Sequence, residues 1–368
     1  MFPVPDRRPT VIDLFAGCGG GSIGFRGAGF RIVGAVEIDP DAAAAYKTNV
    51  GVQPLIKDVR RVSGKDLLMQ AGLRKGELTL LFGCPPCQSF TILRRAQKAT
   101  KRDWRRNTLV REYLRLVSEL MPRHIAFENV PGMLGKRGKR YLDELITGLR
   151  SRGYEPLKQV IDAADFGVPQ HRRRLLIVAS RVCPPQLPKP THSASGGRNL
   201  MKHRTVGDTI KGLAKLMSGQ ADGRDPLHAA RKHKPIAIKR LAALKAGQAR
   251  DDLPLRLQLE CHKNHDGHHD IYGRMWWDRP APTLTTGCTN VTRGRFGHPE
   301  QLRAITLREA LLLQGFPRRA VLLGSVEQMA SQVGNAVPPP LTRRLGYNVA
   351  ALDRAARKAS PTAAYVAA

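Results

Sequence analysis

The chain has 368 residues, of which 42% are hydrophobic, so it is long enough for two domains or for one large domain with an insertion. Its 61 Lys and Arg against 30 Asp and Glu give a formal net charge of +31, which favours a polyanionic partner and makes nucleic acid the leading class. It contains no apolar run long enough to span a bilayer and shows no export signal, so we expect a cytoplasmic protein that does not bind membranes.

Short apolar runs alternate with helix-like stretches through the first 180 residues. Two of these stretches, Asp41–Asn49 and Leu109–Met121, have helical spacing. The predicted strands are Thr10–Phe15, Arg31–Glu37, Pro54–Lys57, Thr79–Phe82, His124–Phe127, Pro156–Ile161 and Leu175–Ala179. Strands that alternate with helices are typical of an α/β protein with a doubly wound, mostly parallel sheet.

The character of the chain changes near residue 183. The segment that follows, CPPQLPKPTHSASGGRN, is rich in Pro, Ser and Gly, and the chain is then basic and weakly periodic as far as residue 250. We therefore predict a second, smaller region. Regular patterns return after residue 287, with predicted helices at Leu307–Gln314 and Leu341–Lys358.

Positive charge is concentrated in two segments. Residues 94–111 hold eight Arg or Lys against one acid, and residues 198–250 hold thirteen against three. Such clustering indicates a nucleic-acid surface rather than a general bias in composition. The aromatic content of 5% favours contacts with a duplex backbone over a row of stacking platforms for single strands.

A glycine-rich turn follows the first predicted strand, in TVIDLFAGCGGGSIGF. Gly19, Gly21 and Gly24 match the bare dinucleotide-binding pattern, and Glu37 ends the next strand, where that pattern places a ribose-binding acid. These residues predict a nucleoside site, with Asp39 as an alternative to Glu37. A turn that serves only the packing of the sheet is the other interpretation. The pattern alone leaves both NAD and S-adenosyl-L-methionine open.

Asp58 follows the third predicted strand, in PLIKDV. Its carboxylate suits the amino group of an adenine, but an Asp at this position is equally suited to cap a helix.

Two of the six cysteines, Cys84 and Cys87, flank a Pro-Pro pair in GCPPCQSFT. Their spacing fits a redox pair, half of a metal site, or one reactive thiol beside a second cysteine. A zinc site could recruit further residues from ECHKNHDGHHD, namely Cys261, His262, His265, His268 and His269. Because a second paired-cysteine motif is missing, we predict a polar loop there and no metal.

The ordered motifs of the chain resemble those of the cytosine-C5 DNA methyltransferases of bacterial or phage type. The opening motif DLFAGCGG is followed by GCPPCQSFT, AFENV, GVPQHRRRLLIVA, DRPAPTLTT and QVGNAVPPPL, in the family's order and across about residues 10 to 350. The chain departs from the commonest form at Arg173, where the family often has an acid, and at residues 92–95 after the Pro-Cys-Gln core. These departures put in doubt how the loop approaches DNA.

The resemblance implies a role for each matching residue. Cys87 is the implied nucleophile and Glu128 the active-site acid, with Arg172 and Arg174 contacting the substrate. The implied co-substrate is S-adenosyl-L-methionine, and the residues expected to bind it are Asp13, Phe15, Gly17, Gly19, Glu37, Ile38, Asp58, Pro86, Asn335 and Val337. The residues expected to bind DNA are Gln88, Thr91, Arg94, Arg95, Arg105 and Arg106.

The implied chemistry is coherent with these residue types. A thiolate that attacks C6 of cytosine makes C5 enamine-like, and an acid at N3 stabilises the charge that develops. C5 then takes the methyl group, and loss of its proton with elimination of Cys87 gives 5-methylcytosine. A free thiol has a pKa of about 8.5, so nearby positive charge must help to ionise Cys87. A base in a duplex must also be flipped out to reach the thiol.

The resemblance also implies a domain organisation and a substrate. We expect a catalytic and cofactor-binding domain at 1–180, a target-recognition domain at 181–305, a hinge at 306–334 and a returning segment at 335–368. The expected partner is double-stranded DNA with a specific target sequence. We expect a monomer and consider a companion restriction endonuclease. Methylation of tRNA and a DNA-binding regulator without activity are the alternative functions.

Overall fold

The structure is a computed structural model that describes residues 6–86, 108–260, 267 and 269–359. The described residues form two compact units. The first lies within Met1–Ile161, Arg173–Lys189 and Pro339–Ala368, and the second within Asp162–Arg172 and Pro190–Pro338. Compactness does not test the functional division at residues 180, 305 and 334, which stays a prediction.

The first unit is built on a seven-stranded sheet, counted over the described residues. Its strands are β1 (Thr10–Leu14), β2 (Arg31–Glu37), β3 (Leu55–Ile56), β4 (Leu80–Gly83), β5 (His124–Asn129), β6 (Glu155–Asp162) and β7 (Arg173–Ser180). They lie in the order β3-β2-β1-β4-β5-β7-β6. The first five strands of this order run parallel, and β7 pairs with β5 in the antiparallel sense.

Burial along each strand follows its place in the sheet. Every residue of β1, β4 and β5 is buried, because these central strands are covered on both faces, whereas β6 at the edge is largely exposed. The core of this unit includes Ile12, Leu81, Phe127 and Ile177. The sequence shows part of this contrast, since β4 is apolar throughout and β1 and β5 each contain an apolar run beside one buried acid, Asp13 or Glu128.

The helices of the first unit are α1 (Gly20–Gly27), α2 (Pro40–Val50), α3 (Gly64–Ala71), α4 (Leu109–Leu120), α5 (Lys139–Arg150) and the C-terminal helix Pro339–Ala359, which is numbered α10. Local sequence fixes some of their ends. Asp39 caps α2 by accepting from the backbone N–H groups of Asp41 and Ala42, Pro40 occupies the first turn, and Gly51 ends the helix with a φ of 81°.

The second unit has shorter elements. Its helices are α6 (Val206–Ile210), α7 (Pro235–Ala242), α8 (Leu307–Leu313) and α9 (Val326–Asn335), and its strands are β8 (His192–Ser193), β9 (Met201–Lys202), β10 (Ala221–Asp222) and β11 (Asp225–Ala229). Strands β8 and β9 pair in parallel, and β10 and β11 form an antiparallel pair. A separate apolar core, with Leu241, Tyr272 and Val291, lies in this unit.

The predicted α/β class with a mostly parallel sheet is confirmed. Each predicted strand of the first 180 residues is present with its ends within two residues of the prediction, and so are the four predicted helices. In the part of the chain that the structure describes, no helix combines the length and the apolar composition needed to cross a membrane.

Candidate active site

A buried carboxylate, Glu128, lies near the carboxyl end of β5 and has a different partner at each of its oxygens: an ion-pair partner at Oε1 and a hydrogen-bond donor at Oε2. The Nε atom of Arg174 lies 3.0 Å from Oε1, in an ion pair whose side chains are 12% and 3% exposed. The thiol of Cys84 donates to Oε2 at 2.8 Å. These three side chains form the Glu128 cluster, and all of them belong to the first unit.

The topology of the sheet explains why these side chains meet. Strands β4 and β5 are parallel neighbours, so Cys84, just after β4, and Glu128 reach the same edge. Strand β7 runs in the opposite direction, and its first residues therefore begin where β5 ends. Arg174 is the second residue of β7. The carboxyl edge of a parallel sheet is where ligands bind in doubly wound folds.

The residue proposed as the nucleophile lies outside the described residues, which end at Pro86 and resume at residue 108. The predicted DNA contacts lie outside them as well, namely Gln88, Thr91, Arg94, Arg95, Arg105 and Arg106, together with Cys87 itself. Two residues before this segment, Asn129 Nδ2 donates to the carbonyl of buried Pro85 at 3.3 Å. Pro86, a predicted cofactor contact, is exposed.

Arg172, the other predicted substrate contact, is part of the second unit and is 2% exposed. Its Nη1 donates to the carbonyl of Leu284 at 3.2 Å and its Nη2 to that of Gly334 at 3.0 Å. Arg172 and the Glu128 cluster thus belong to different units. Its substrate contact stays a prediction, while its observed hydrogen bonds join segments of the second unit.

Gln170 and Gln314, which the sequence analysis did not single out, join further segments of the second unit. Gln170 Oε1 accepts from the N–H of Leu284 at 2.9 Å, and Gln170 Nε2 donates to Gln314 Oε1. Gln314 Nε2 donates to the carbonyl of Ala336 at 2.6 Å. Both glutamines are fully buried. The position of Gln170 inside the motif GVPQHRRRLLIVA was the signal that could have identified it.

Two predicted cofactor contacts, Asn335 and Val337, also belong to the second unit. Asn335 ends α9 with an exposed side chain, and its Nδ2 donates to the hydroxyl of Ser331 at 3.2 Å. Val337 is 7% exposed. Their contact with a cofactor stays a prediction.

The glycine-rich turn between β1 and α1 has an open side at Gly17. Its φ is +53°, and a Cβ there would meet no described atom within 4 Å. Its N–H donates to Glu37 Oε2 at 2.7 Å. Phe15, two residues earlier, is a non-glycine residue with a φ of +62°, a strained conformation of the kind that clusters at functional sites.

Glu37 organises the end of β2 beside this turn. Besides Gly17, it accepts from the backbone N–H groups of Ile38 and Asp39, at 2.8 Å and 2.9 Å on Oε1. Burial raises the pKa of Glu37, and these backbone hydrogen bonds oppose the rise. The next side chain, Ile38, is apolar and 62% exposed. These three features suit a nucleoside. The open glycine allows close approach of the ligand, the fixed carboxylate can accept from ribose hydroxyls, and the exposed apolar side chain can pack against a base.

The three glycines of the bare dinucleotide pattern have a different role from Gly17. A Cβ at Gly19 would lie 2.6 Å from Val50 of α2, and a Cβ at Gly21 would lie 2.7 Å from Phe82 of β4. A Cβ at Gly24 would overlap Thr342 and the backbone of α10. These glycines permit close packing of α1, which is the packing interpretation of the pattern. The cofactor contact predicted for Gly19 is untested.

Asp13 lies in the core beneath the turn and is 1% exposed. Burial raises the pKa of its carboxyl group to about 7. The Ser22 hydroxyl donates to Asp13 Oδ2 at 2.6 Å and lies 2.7 Å from the hydroxyl of Tyr46. The observed role of Asp13 is thus to anchor α1 to β1, and its predicted cofactor contact remains a prediction.

Asp58 caps the 3-10 helix Val59–Arg61 by accepting from the N–H of Arg60 at 3.0 Å. It also pairs with the Arg60 side chain at 2.8 Å. The capping interpretation is thus observed, and contact with an adenine stays a prediction.

The described residues contain no group of three or more His, Cys, Asp or Glu that could hold a metal ion. Of the His-rich segment, His269 is described, and its Nδ1 lies 2.6 Å from Asp251 Oδ2. The other residues considered for zinc, Cys261, His262, His265 and His268, lie outside the described part of the chain.

Comparison with known proteins adds independent findings. A family model described as C-5 cytosine-specific DNA methylase matches residues 9–351. The type II methylase M.HgiDII of Herpetosiphon aurantiacus is 36% identical over 347 residues, which cover 92% of this chain and 94% of the relative. The type II methyltransferase M.XorII of Xanthomonas oryzae pv. oryzae is 33% identical, with 93% and 84% covered.

Solved structures share the fold. A prophage-encoded E. coli protein described as a DNA modification methyltransferase superposes with a TM-score of 0.71 at 23% identity, covering 94% of this chain and 99% of its own. The Dnmt2 methyltransferase of S. pombe gives a TM-score of 0.56 at 19% identity, with 95% and 99% covered.

Proposed function

The chain belongs to the C-5 cytosine-specific DNA methylase family, and from that premise we propose how its residues carry out the reaction. It is a DNA cytosine methyltransferase. We propose that it transfers a methyl group from S-adenosyl-L-methionine to C5 of a flipped-out cytosine in a specific duplex sequence. The reaction proceeds through a covalent bond between Cys87 and C6.

The observation that carries the proposal is the Glu128 cluster. A carboxyl group held at the carboxyl edge of the sheet, at the end of the strand next to the one that leads into the Cys87 segment, is the acid that attack on C6 requires. Glu128 stabilises the charge that develops on N3, and Arg174 keeps Glu128 in place. Elimination of Cys87 after loss of the C5 proton restores the aromatic ring.

The co-substrate site is proposed at the turn between β1 and α1. S-adenosyl-L-methionine supplies the methyl group when it is bound. Glu37 accepts hydrogen bonds from the ribose hydroxyls through the lone pairs that its backbone donors leave available, and Ile38 packs against the adenine. Gly17 lets the backbone approach the ligand.

DNA binding is proposed to rest on phosphate contacts by the basic residues of 94–111 and of the second unit. These contacts compensate for flipping the base, which costs about a few kcal/mol. Affinity should therefore fall steeply with salt. The proposal includes a monomer acting in the cytoplasm and, because the relatives are named type II methyltransferases, a companion restriction endonuclease.

Methyl transfer from labelled S-adenosyl-L-methionine tests the proposal. The protein is incubated separately with duplex DNA and with tRNA, and the modified base is identified after hydrolysis. We expect label in 5-methylcytosine from DNA, because the chain carries the family's motifs and a basic surface. Label confined to tRNA would support the alternative substrate, and label in adenine would contradict the proposed chemistry.

Two matched variants test the nucleophile. Cys87→Ser should lose turnover, because an alcohol is a much weaker nucleophile than a thiolate, and it should form no covalent complex with DNA that contains 5-fluorocytosine. Cys84→Ser is the control and should keep most of the turnover. An equal loss in both variants would favour the paired-cysteine interpretation.

A further inference from the structure

The thiol of Cys84 has no role in the proposed chemistry, yet it lies within the Glu128 cluster. It donates to Glu128 Oε2 at 2.8 Å, while Arg174 meets the opposite oxygen at 3.0 Å. We propose that Cys84 is a positioning residue that holds Glu128 by this hydrogen bond during methyl transfer. The inference rests on the proposed role of Glu128.

The backbone around Cys84 is held tightly enough for such a role. A Cβ at Gly83, the residue before it, would lie 2.4 Å from the ring of Tyr113, so β4 packs directly on α4. The Tyr113 hydroxyl lies 3.2 Å from the carbonyls of both Leu81 and Ala126, in β4 and β5. Because one tyrosine bridges the two strands, Cys84 and Glu128 keep a fixed separation.

The chemistry of a thiol suits a carboxylate that must also act on a substrate. Burying a carboxylate oxygen without a hydrogen bond is costly, and Glu128 Oε1 faces Arg174 without one, so the Cys84 bond to Oε2 is the hydrogen bond that fixes this side chain. A thiol is neutral and a weak donor, so its bond fixes the side chain yet is readily exchanged for a bond to the base. A second arginine at the same oxygen would form a stronger bond and hold the carboxylate in its charged form.

The competing interpretation is that Cys84 only fills space at the end of β4. Substitution distinguishes the two, because Cys84→Ser keeps a donor while Cys84→Val keeps approximately the volume and removes the donor. Cys84→Ala serves as a second donor-free variant if Cys84→Val does not fold. Thermal unfolding of each full-length variant shows which of them are folded.

The readouts are kcat, KM for duplex DNA, and the dependence of kcat on pH. We expect Cys84→Val and Cys84→Ala to lower kcat by about five- to tenfold, the effect of one lost hydrogen bond, at nearly unchanged KM. The pH profile of kcat in the donor-free variants should differ from that of the wild type, because the active-site carboxylate has lost its hydrogen bond. Cys84→Ser should stay within about twofold of the wild type in kcat and keep its pH profile.

Two outcomes overturn the proposal. Donor-free variants with the wild-type pH profile and kcat would show that the hydrogen bond is dispensable, and a Cys84→Ser variant as impaired as Cys84→Val would show that the donor is not what matters. Glu128→Gln, assayed in parallel, distinguishes a failure of the role proposed for Glu128 from a failure of the role proposed for Cys84. If Glu128→Gln keeps full turnover, the proposed function of Glu128 fails first. If it loses turnover while the Cys84 variants behave as wild type, the role of Cys84 alone fails.

Discussion

Two buried carboxylates, one in each unit, are paired with arginine in different ways. Glu309 in α8 is 1% exposed and receives two bonds from one guanidinium, Arg303 Nη1 to Oε2 at 2.7 Å and Nη2 to Oε1 at 2.8 Å. The N–H of Thr306 donates to the same Oε2 at 2.7 Å. Glu128 is as deeply buried, but it has one arginine nitrogen at one oxygen and a thiol at the other.

The difference separates a carboxylate that builds structure from one that is available for chemistry. Burial raises the pKa of Glu309, but the bonds from Arg303 outweigh this and hold the pKa below its ordinary value. Bidentate pairs of this kind are strong and geometrically specific, so they leave the carboxylate little freedom to change partner or protonation state. Glu128 is oriented by weaker bonds, which suits an acid that must engage a base.

Glu309→Gln and Glu128→Gln sharpen this comparison. Glu309→Gln should lower the free energy of unfolding by about 3–5 kcal/mol, because it leaves Arg303 buried without its counter-charge. Glu128→Gln should lower it by about 1–2 kcal/mol, since the amide still accepts hydrogen bonds, but should lose turnover by about 100-fold or more. Urea denaturation and methyl transfer assays measure the two effects.

Glu327→Gln is the matched control in the second unit. Glu327 pairs with Arg231 at 3.2 Å but is 70% exposed, so its loss should change stability by less than about 0.5 kcal/mol. A stable, fully folded Glu309→Gln protein would contradict the structural role of the Glu309 pair. An equal loss of stability in Glu309→Gln and Glu128→Gln would remove the distinction altogether.

Arg172 and Arg174, on either side of Arg173, offer the same comparison between a structural and a functional role for arginine. Arg172→Ala should destabilise the protein by about 2–4 kcal/mol, because the carbonyls of Leu284 and Gly334 lose their buried donor. Arg174→Ala should chiefly lower kcat, because Glu128 loses the cation that orients it. Thermal unfolding and steady-state kinetics measure both. If Arg172→Ala unfolds like the wild type but loses turnover, its role is the substrate contact that the sequence predicts.

The fold of the first unit could be predicted from the sequence because its strands contain short apolar runs that alternate with helix-like stretches. Central strands such as β1 and β5 are buried on both faces and contain a short apolar run beside a buried acid, whereas the two-residue strands β8, β9 and β10 are too short to give a period. In the second unit, therefore, the helix Leu307–Gln314 was predicted as an element and the rest only as a region. Its buried organisers, Gln170 and Gln314, are polar and carry no periodic signal.

The residues of the site could be predicted from the sequence, but the neighbours that each of them contacts could not. Gly17 and Gly19 were both expected to contact the cofactor, yet a Cβ at Gly17 would meet no described atom within 4 Å, whereas a Cβ at Gly19 would lie 2.6 Å from Val50. Cys84 appears paired with Cys87 by spacing, whereas its observed partner, Glu128, lies 44 residues away in sequence. Only the pairing of β4 with β5 brings that partner close, and pairing between strands is a long-range property.

A third buried carboxylate, Asp353, extends the comparison to the first unit. It tests whether saturation, meaning that charged donors bind both oxygens of a carboxylate, distinguishes structural carboxylates there as well. It lies in α10 and accepts from Arg123 Nε at 2.5 Å and Arg357 Nε at 2.7 Å, and His124 Nε2 lies 3.2 Å from it. Burial raises its pKa, but the bonds from His124, Arg357 and Arg123 outweigh this and hold the pKa well below the ordinary value.

Asp353→Asn should therefore change how stability depends on pH. A carboxylate whose folded pKa is depressed contributes stability above its unfolded pKa, about 3.9, and that contribution is lost as pH falls toward the folded value. At neutral pH the variant should be less stable by about 2–3 kcal/mol, and the gap should narrow below about pH 4. Asp143→Asn is the control, because Asp143 pairs with Lys139 at the surface and is 55% exposed. A constant gap at every pH would mean that Asp353 acts through packing, and saturation would then no longer distinguish it from Glu128.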